Sequence, residues 1–210
     1  MGLTVERLAD EGLVAMMFAN SPAAMAPWGG RMPLYGTNPI AFAAPLPDTD
    51  PLVIDMALSK VARGKIMAAH QKGAAIPADW AFDREGRATT DAAQALEGTI
   101  MPAGEAKGAA LALMVEILAA SLTGANHSFE ATSLFDDKGP PPGLGQFIIA
   151  IDPAATTGGN TAARLGLLAS QIASEPGVRL PGRRGQNARR DAMTNGFSIE
   201  DDVIETIRKL

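Results

Sequence analysis

The stretch "MPAGEAKGAALALMVEILAASLTG", residues 101–124, constrains the fold more than any other. A long apolar run opens beside Lys107 and is broken once, by Glu116. Residues 109–122 are fewer than the roughly 20 that a membrane span requires, and the glutamate interrupts them, so the run reads as a buried helix. Strand-like runs alternate with helical ones along the rest of the chain, which argues for one α/β domain. The 210 residues are enough for one sizeable core.

The opening "LTVERLADEG" has helical spacing and stops at Gly12. "LVAMMFAN" reads as a strand buried on both faces, and "IAFAAPLP" and "PLVIDMAL" as two more strands with "PDTD" turning between them. The Pro/Gly-dense segment 21–39 is expected to be an ordered loop. "SKVARGKIMAAHQKG" predicts a helix ending at Gly73, and "WAFDREGRATT" a hairpin with a Glu-Gly turn. "NHSFEATSLFDDKGPPPGLG" is a long polar loop of the kind that often carries function. "QFIIAID" is a strand, and helices are expected over 161–174 and 199–209, flanking the basic turn "RLPGRRGQNARR".

Composition excludes several classes. There are no cysteines, so disulfides and thiolate metal sites are ruled out, and 2 histidines make a histidine-rich metal site improbable. A net charge of -5 with scattered basic residues does not suit a nucleic-acid partner, and neither a signal peptide nor a membrane span is visible. That pattern suits a cytoplasmic protein. No G-x-G-x-x-G follows a strand and opens a helix, so the dinucleotide fingerprint of the Rossmann fold is missing.

Seven strings occur in one order: "NSPAAMAPWGG", "YGTNPIAFAAP", "PLVIDMALSKVARGKI", "IPADWAFDREGRATTD", "MPAGEAKGAALALMVEILA", "QFIIAIDP" and "RLPGRR". From about residue 12 onward the chain resembles the malate/L-lactate dehydrogenase family, which binds NAD or NADP without a Rossmann domain. The family includes sulfolactate, ureidoglycolate, diketogulonate and piperideine-carboxylate enzymes. The resemblance implies an α/β fold, a mixed sheet with flanking helices, in which residues 1–210 form a single cofactor-binding portion. It also implies hydride transfer between a small 2-hydroxy acid and its 2-oxo acid, or reduction of a cyclic imine, with a homodimer as the assembly. The family's preceding segment, with its acid/base histidine and an arginine, has no counterpart here. The chain resembles the cofactor-side part, truncated or recorded from an internal start. A non-catalytic homologue acting as a nucleotide-binding or dimerisation module is the alternative. Loss of a covering segment would expose apolar surface, so poor solubility or non-native association is expected.

The resemblance also marks residues. Pro51, Leu52, Val53, Ile54, Asp55, Met56 and Ala57 line the cofactor by this reading. Asp55 either orients the absent histidine or caps the next helix. Ala106 and Lys107 contact the dinucleotide. A lysine in a helix's first turn opposes the helix dipole and needs another reason to be there; the alternative is a solvated side chain. Gly104 and Gly108 would let a ligand approach the backbone. Gly182, Arg183 and Arg184 match a further cofactor turn, their guanidinium groups suiting phosphate, or else form a basic surface turn. Asn20, Ser21, Thr37 and Asn38 are candidates to hold a nicotinamide amide or a substrate carboxylate, and equally candidates to stabilise turns. Trp28 is expected in core or dimer packing. Neither His70 nor His127 is assigned as proton donor, and no metal site is expected. One cavity shared by Ile54, Gly108 and Pro181 is expected to grip the cofactor pyrophosphate.

Overall fold

The computed structural model describes residues 1–209. Helix α1 (Gly2–Asp10) leads into strand β1 (Val14–Ala19), followed by β2 (Ile40–Leu46) and β3 (Thr49–Met56). Next come α2 (Arg63–Gln71), β4 (Ala81–Phe82), β5 (Ala88–Thr89), α3 (Ala92–Glu97), β6 (Thr99–Ile100) and α4 (Ala106–Glu116). A π-helical segment, Ile117–Ser121, extends α4; β7 (Gln146–Ile151), α5 (Ala154–Thr157), α6 (Thr161–Ala173), α7 (Arg183–Asn195) and α8 (Asp201–Arg208) complete the order.

The main sheet has the order β3-β2-β1-β7. The expectation that β1 is covered on both faces holds, because its alternate side chains enter two cores. Ala15 and Met17 pack with Ala41, Ala43, Val53 and with Val5 and Ala9 of α1. Phe18 points to the other side and joins Ala112 and Val115 of α4, Ala119, Ile66 and Met25. The alanines on the α1 face leave little bulk between helix and sheet, which lets α1 lie close. A smaller sheet, β5-β4-β6, holds the hairpin read from sequence. Its turn is closed by Asp83, whose Oδ1 accepts from Glu85 N at 3.0 Å and Arg87 N at 2.9 Å.

The apolar helix ends at a buried charge. Glu116 is 4% exposed. Its carboxylate accepts from Ser128 N at 2.6 Å, Ser128 Oγ at 2.7 Å and Asn38 Nδ2 at 2.8 Å. Asn38 Nδ2 also donates to the Ala112 carbonyl at 2.9 Å, so one amide ties the Pro/Gly loop to α4. Asn38 does this with φ of 40°, a left-handed backbone that asparagine tolerates better than most residues. The interruption that excludes a membrane span therefore joins three segments of the core.

Several expectations need correction. The α/β class with helices flanking the sheet stands, but every pairing within it is antiparallel rather than mixed. Helix α2 starts at Arg63, not at residue 59, because Ser59 is taken into a bridge with Pro102. Helix α3, capped by Asp91, went unread. The basic segment 179–190 is not a turn throughout: from Arg183 it is helix α7. Its helicity was hidden because it lacks an apolar stripe and is held by polar contacts instead. Gln186 Nε2 donates to the Pro51 carbonyl and to Glu6 Oε1, both at 2.9 Å, and Arg189 meets Glu6 Oε2 at 2.7 Å. Arg183 reaches Asp50 Oδ2 at 3.2 Å, and Arg190 pairs with the same carboxylate.

Two predictions follow from these contacts. Glu116→Ala removes the acceptor of three buried hydrogen bonds, leaving Ser128 N–H with no other partner, and should cost about 3–5 kcal/mol in urea unfolding, with Glu116→Gln recovering part; an unchanged midpoint would contradict the role given to this carboxylate. The second concerns acid. Burial pushes the Glu6 carboxyl up, but hydrogen bonds from Arg189 and Gln186 outweigh it and hold the group below its ordinary 4.5. Arg190's hydrogen bond likewise holds Asp50 below its ordinary 3.8. Depressed carboxyls stabilise the fold above their unfolded values, and that contribution is lost as pH falls through the folded ones. The melting temperature should thus fall below about pH 4, and less steeply in a Glu6→Gln, Asp50→Asn double variant. Parallel pH profiles for the two proteins would refute the clamp.

Candidate functional site

The C-terminal end of β3 is where four of the expected site residues, Val53, Asp55, Gly182 and Arg184, meet. Val53 and Asp55 line a cavity of about 490 Å³ together with Gly2, Glu6, Arg179, Pro181, Gly182, Arg184 and Arg189. Gly182 enters this cavity with φ of 84°, and a Cβ there would lie 2.9 Å from Val53 Cβ and 3.0 Å from its carbonyl oxygen. Only glycine lets the chain pass this close to the strand. Asp55 does not cap the next helix: α2 has no side-chain cap. Its Oδ2 accepts from Gly2 N at 2.6 Å and lies 3.3 Å from the Met1 amino group.

Two residues further along the strand direction, Ala57 lines a second cavity, also of about 490 Å³. Ser21, Thr37, Arg63, Ser128, Phe129, Leu134 and Phe135 are among its walls. Thr37 is held by its neighbours, its N–H donating to Ser21 Oγ at 2.9 Å and its carbonyl accepting from Leu58 N at 2.8 Å. The two hydroxyls lie 3.2 Å apart. One proton bridges them, which leaves the other hydroxyl hydrogen for a ligand. Arg63 Nη2 donates to the Leu96 carbonyl at 3.0 Å, and burial alone lowers its pKa from the ordinary value.

The structure distributes the remaining candidates unevenly. Asn20 and Asn38 are buried and their amides hold the fold: Asn20 donates to the Asn126 carbonyl at 2.8 Å and accepts from Gly145 N at 2.9 Å. Arg183 faces Asp50 and Thr49, whereas Arg184 is exposed. Ala106 and Lys107 are exposed in the first turn of α4 and line neither cavity. Gly108 and Ile54 are outside both as well, so of the three residues expected to share one cavity only Pro181 lines the one at the β3 end. The space a Gly108 side chain would fill belongs to the Ala103 carbonyl, 1.9 Å from that position, so this glycine serves helix packing. His70 is exposed in the last turn of α2. His127 is bound between Ser121 Oγ and Glu130 Oε2, each at 3.0 Å, and stacks on Phe129. Neither histidine lines a cavity described above. Trp28 is half-exposed and is not core. Among the described residues no group of three or more His, Asp or Glu side chains could hold a metal, and no helix is long and apolar enough to cross a membrane.

Arg63 was missed from sequence, although a usable signal existed. A cation in a helix's first turn opposes the dipole, the argument that singles out Lys107. Placing the helix start at residue 59 put Arg63 in the second turn and hid it. Glu116 and Ser128 were missed for a different reason: their partnership spans separate segments and leaves no local pattern.

Comparison with known proteins agrees with this geometry. Residues 1–208 match the family model described as malate/L-lactate dehydrogenase. A (2R)-3-sulfolactate dehydrogenase (NADP(+)) of Chromohalobacter salexigens is 53% identical over 99% of this chain and 62% of its own length. A delta(1)-pyrroline-2-carboxylate/delta(1)-piperideine-2-carboxylate reductase of Pseudomonas putida is 40% identical over 98% of this chain and 61% of its own. The solved delta1-piperideine-2-carboxylate reductase of Pseudomonas syringae pvar. tomato superposes with a TM-score of 0.91 at 39% identity, covering 99% of this chain and 63% of that one. The sulfolactate dehydrogenase of Methanocaldococcus jannaschii gives 0.85 at 32% identity, covering 99% and 61%. The chain thus spans about three-fifths of the length of these relatives. It belongs to the malate/L-lactate dehydrogenase family.

Proposed function

We propose that this chain carries the cofactor-binding part of an NAD(P)-dependent oxidoreductase acting on a small 2-hydroxy acid and its 2-oxo acid, or on a related cyclic imine acid. The observation that carries the reading is the cavity at the β3 end, where Asp55 meets the Gly182 turn and three arginines, with a second cavity lined by Ala57. In this reading one elongated ligand extends from the cavity at Asp55 towards the one lined by Ala57. Each cavity falls in the ordinary range for small-molecule sites.

The residues fit a pyridine dinucleotide. Arg179, Arg184 and Arg189 supply positive charge around Gly182, where the backbone runs close to the strand. Arg189 is partly neutralised by Glu6 and Arg183 by Asp50, which leaves Arg184 as the freer partner for phosphate oxygens. When bound, the nicotinamide supplies the hydride that moves to or from the substrate carbon. Asp55 lies in the same cavity as the arginine cluster and is placed to accept a hydrogen bond from a neighbouring donor. The Thr37–Ser21 pair offers one hydroxyl hydrogen on the far side. Ala106 and Lys107, carried over by resemblance, form an outer flank of the site in this reading. Asn20 and Asn38 act on it indirectly, by fixing the loop that presents Ser21 and Thr37. A small organic acid is the substrate class, and a homodimer is the assembly.

Titration of the chain with NADH and NADPH, followed by fluorescence, tests this reading; a folded sample that binds neither at millimolar concentration overturns it. Arg184→Ala should weaken both cofactors about tenfold and leave the melting temperature unchanged, since this guanidinium makes no ion pair among the described residues. Full affinity in that variant would exclude the arginine from the site. Cofactor binding without turnover of any 2-oxo acid would favour the nucleotide-binding module over the enzyme.

A further inference from the structure

We propose that Ser121, His127 and Glu130 form a second reactive site, in which the serine hydroxyl takes an acyl group from activated esters and passes it to water. None of the three lines either cavity described above.

The side chains are joined in one line. Ser121 Oγ lies 3.0 Å from His127 Nε2, and His127 Nδ1 lies 3.0 Å from Glu130 Oε2. A hydroxyl within hydrogen-bond reach of a base, itself oriented by a third group, is the arrangement that activates a serine. Glu130 is fixed in turn, because the same Oε2 accepts from His127 N at 2.8 Å. That N–H first, and the ring second, hold its carboxyl below the ordinary 4.5, so at neutral pH it meets the ring as a carboxylate. Nδ1 then carries the proton towards Glu130, which leaves Nε2 to accept from the serine hydroxyl. The ring has little freedom to turn away: it stacks on Phe129 with centroids 5.4 Å apart and planes 4° from parallel.

The site is open to a substrate. Ser121 is exposed at the end of the π-helical segment, a geometry found often at functional sites. Ile117, one turn earlier, and Phe129, against the imidazole, are 50% and 57% exposed, an apolar surface that suits an acyl or aryl group. The N–H groups of Leu122, Ala125, Asn126 and His127 are all taken by other acceptors. They give a developing oxyanion no help, which restricts the site to esters with a good leaving group, such as aryl esters.

In the reaction Ser121 Oγ bonds to the ester carbonyl carbon while its proton moves to His127 Nε2. The bond from that carbon to the alcohol oxygen breaks, and Nε2 returns the proton to the departing oxygen. Water then attacks the acyl-serine with the same base, releasing the carboxylic acid and restoring the hydroxyl. Nothing is oxidised and no cofactor takes part, so this inference stands or falls apart from the oxidoreductase reading.

The test gives the full chain p-nitrophenyl acetate without cofactor. Absorbance follows nitrophenol release, and peptide mass spectrometry locates the acetyl group. The wild type should release nitrophenol at least about tenfold faster than free imidazole at equal concentration, with acetyl on Ser121. Ser121→Ala should lose both the label and the rate advantage while keeping a cooperative thermal transition. Glu130→Gln should acylate the same serine about tenfold more slowly. If the three side chains only fasten the loop to the helix, that variant shifts the melting temperature and no acyl-serine forms in any protein, which overturns the inference. A wild-type rate equal to that of imidazole with Ser121 unlabelled overturns it without any variant. Acetyl confined to lysines, with the rate unchanged in Ser121→Ala, overturns it as well.

Discussion

A single buried carboxylate organises the part of the molecule on which the site depends. Glu116 lies where α4 passes into its π-helical extension, and its three donors come from two other segments, Asn38 and Ser128. Taking a carboxylate out of water is expensive, and the cost is offset only if its oxygens are fully hydrogen-bonded. Here they are. The result is a loop with no regular structure of its own that still has one conformation, because Asn38 is pinned and Thr37 and Ser21 are its neighbours. The residues that face the second cavity inherit their positions from this contact.

The first cavity depends on a different device. Helix α7 has almost no apolar face, and it is held against β3 by Gln186, Arg183, Arg189 and Arg190 on Glu6, Asp50 and the Pro51 carbonyl. Two of the clamp's carboxylates sit on α1 and at the start of β3, so one polar network aligns helix, strand and the Gly182 turn. The ionic clamp thus fixes α7 at the start of β3, and the Glu116 network fixes the loop that carries Thr37. Both arrangements trade hydrophobic burial for direction, which suits a site whose geometry matters more than its contribution to stability.

Much of the framework was legible in sequence. Periodicity located β1, β2, β3 and α1, whose apolar patterns match their burial, and also β7 and α6, although Ile148, Ile151, Leu167 and Leu168 are exposed. The seven ordered strings located the family; Asp55 and Gly182 line one cavity, whereas Ile54 and Gly108 of the expected shared cavity do not. What stayed hidden has a common cause. Helix α7 is stabilised by partners up to 183 residues away in sequence, so its own residues show no stripe. The antiparallel direction of the pairings depends on how loops return, which strand patterns do not encode. Lys107 and Gly108 seemed to belong to a ligand because of local chemistry, yet Gly108 is explained by contact with Ala103, a packing constraint visible only in three dimensions. Asn20 and Asn38 show the same ambiguity: short polar residues in a Gly/Pro loop serve ligands or backbones equally well, and here their amides went to the backbone and to Glu116.

The central claim is that a pyridine nucleotide lies across the end of β3 and reaches into both cavities. Hydrogen–deuterium exchange with and without NADPH measures this directly. Slower exchange should appear together in three stretches, 21–37, 53–64 and 179–186, while 70–75 at the far end of α2 stays unchanged. Protection confined to residues outside those stretches, or none at saturating cofactor, would contradict the account.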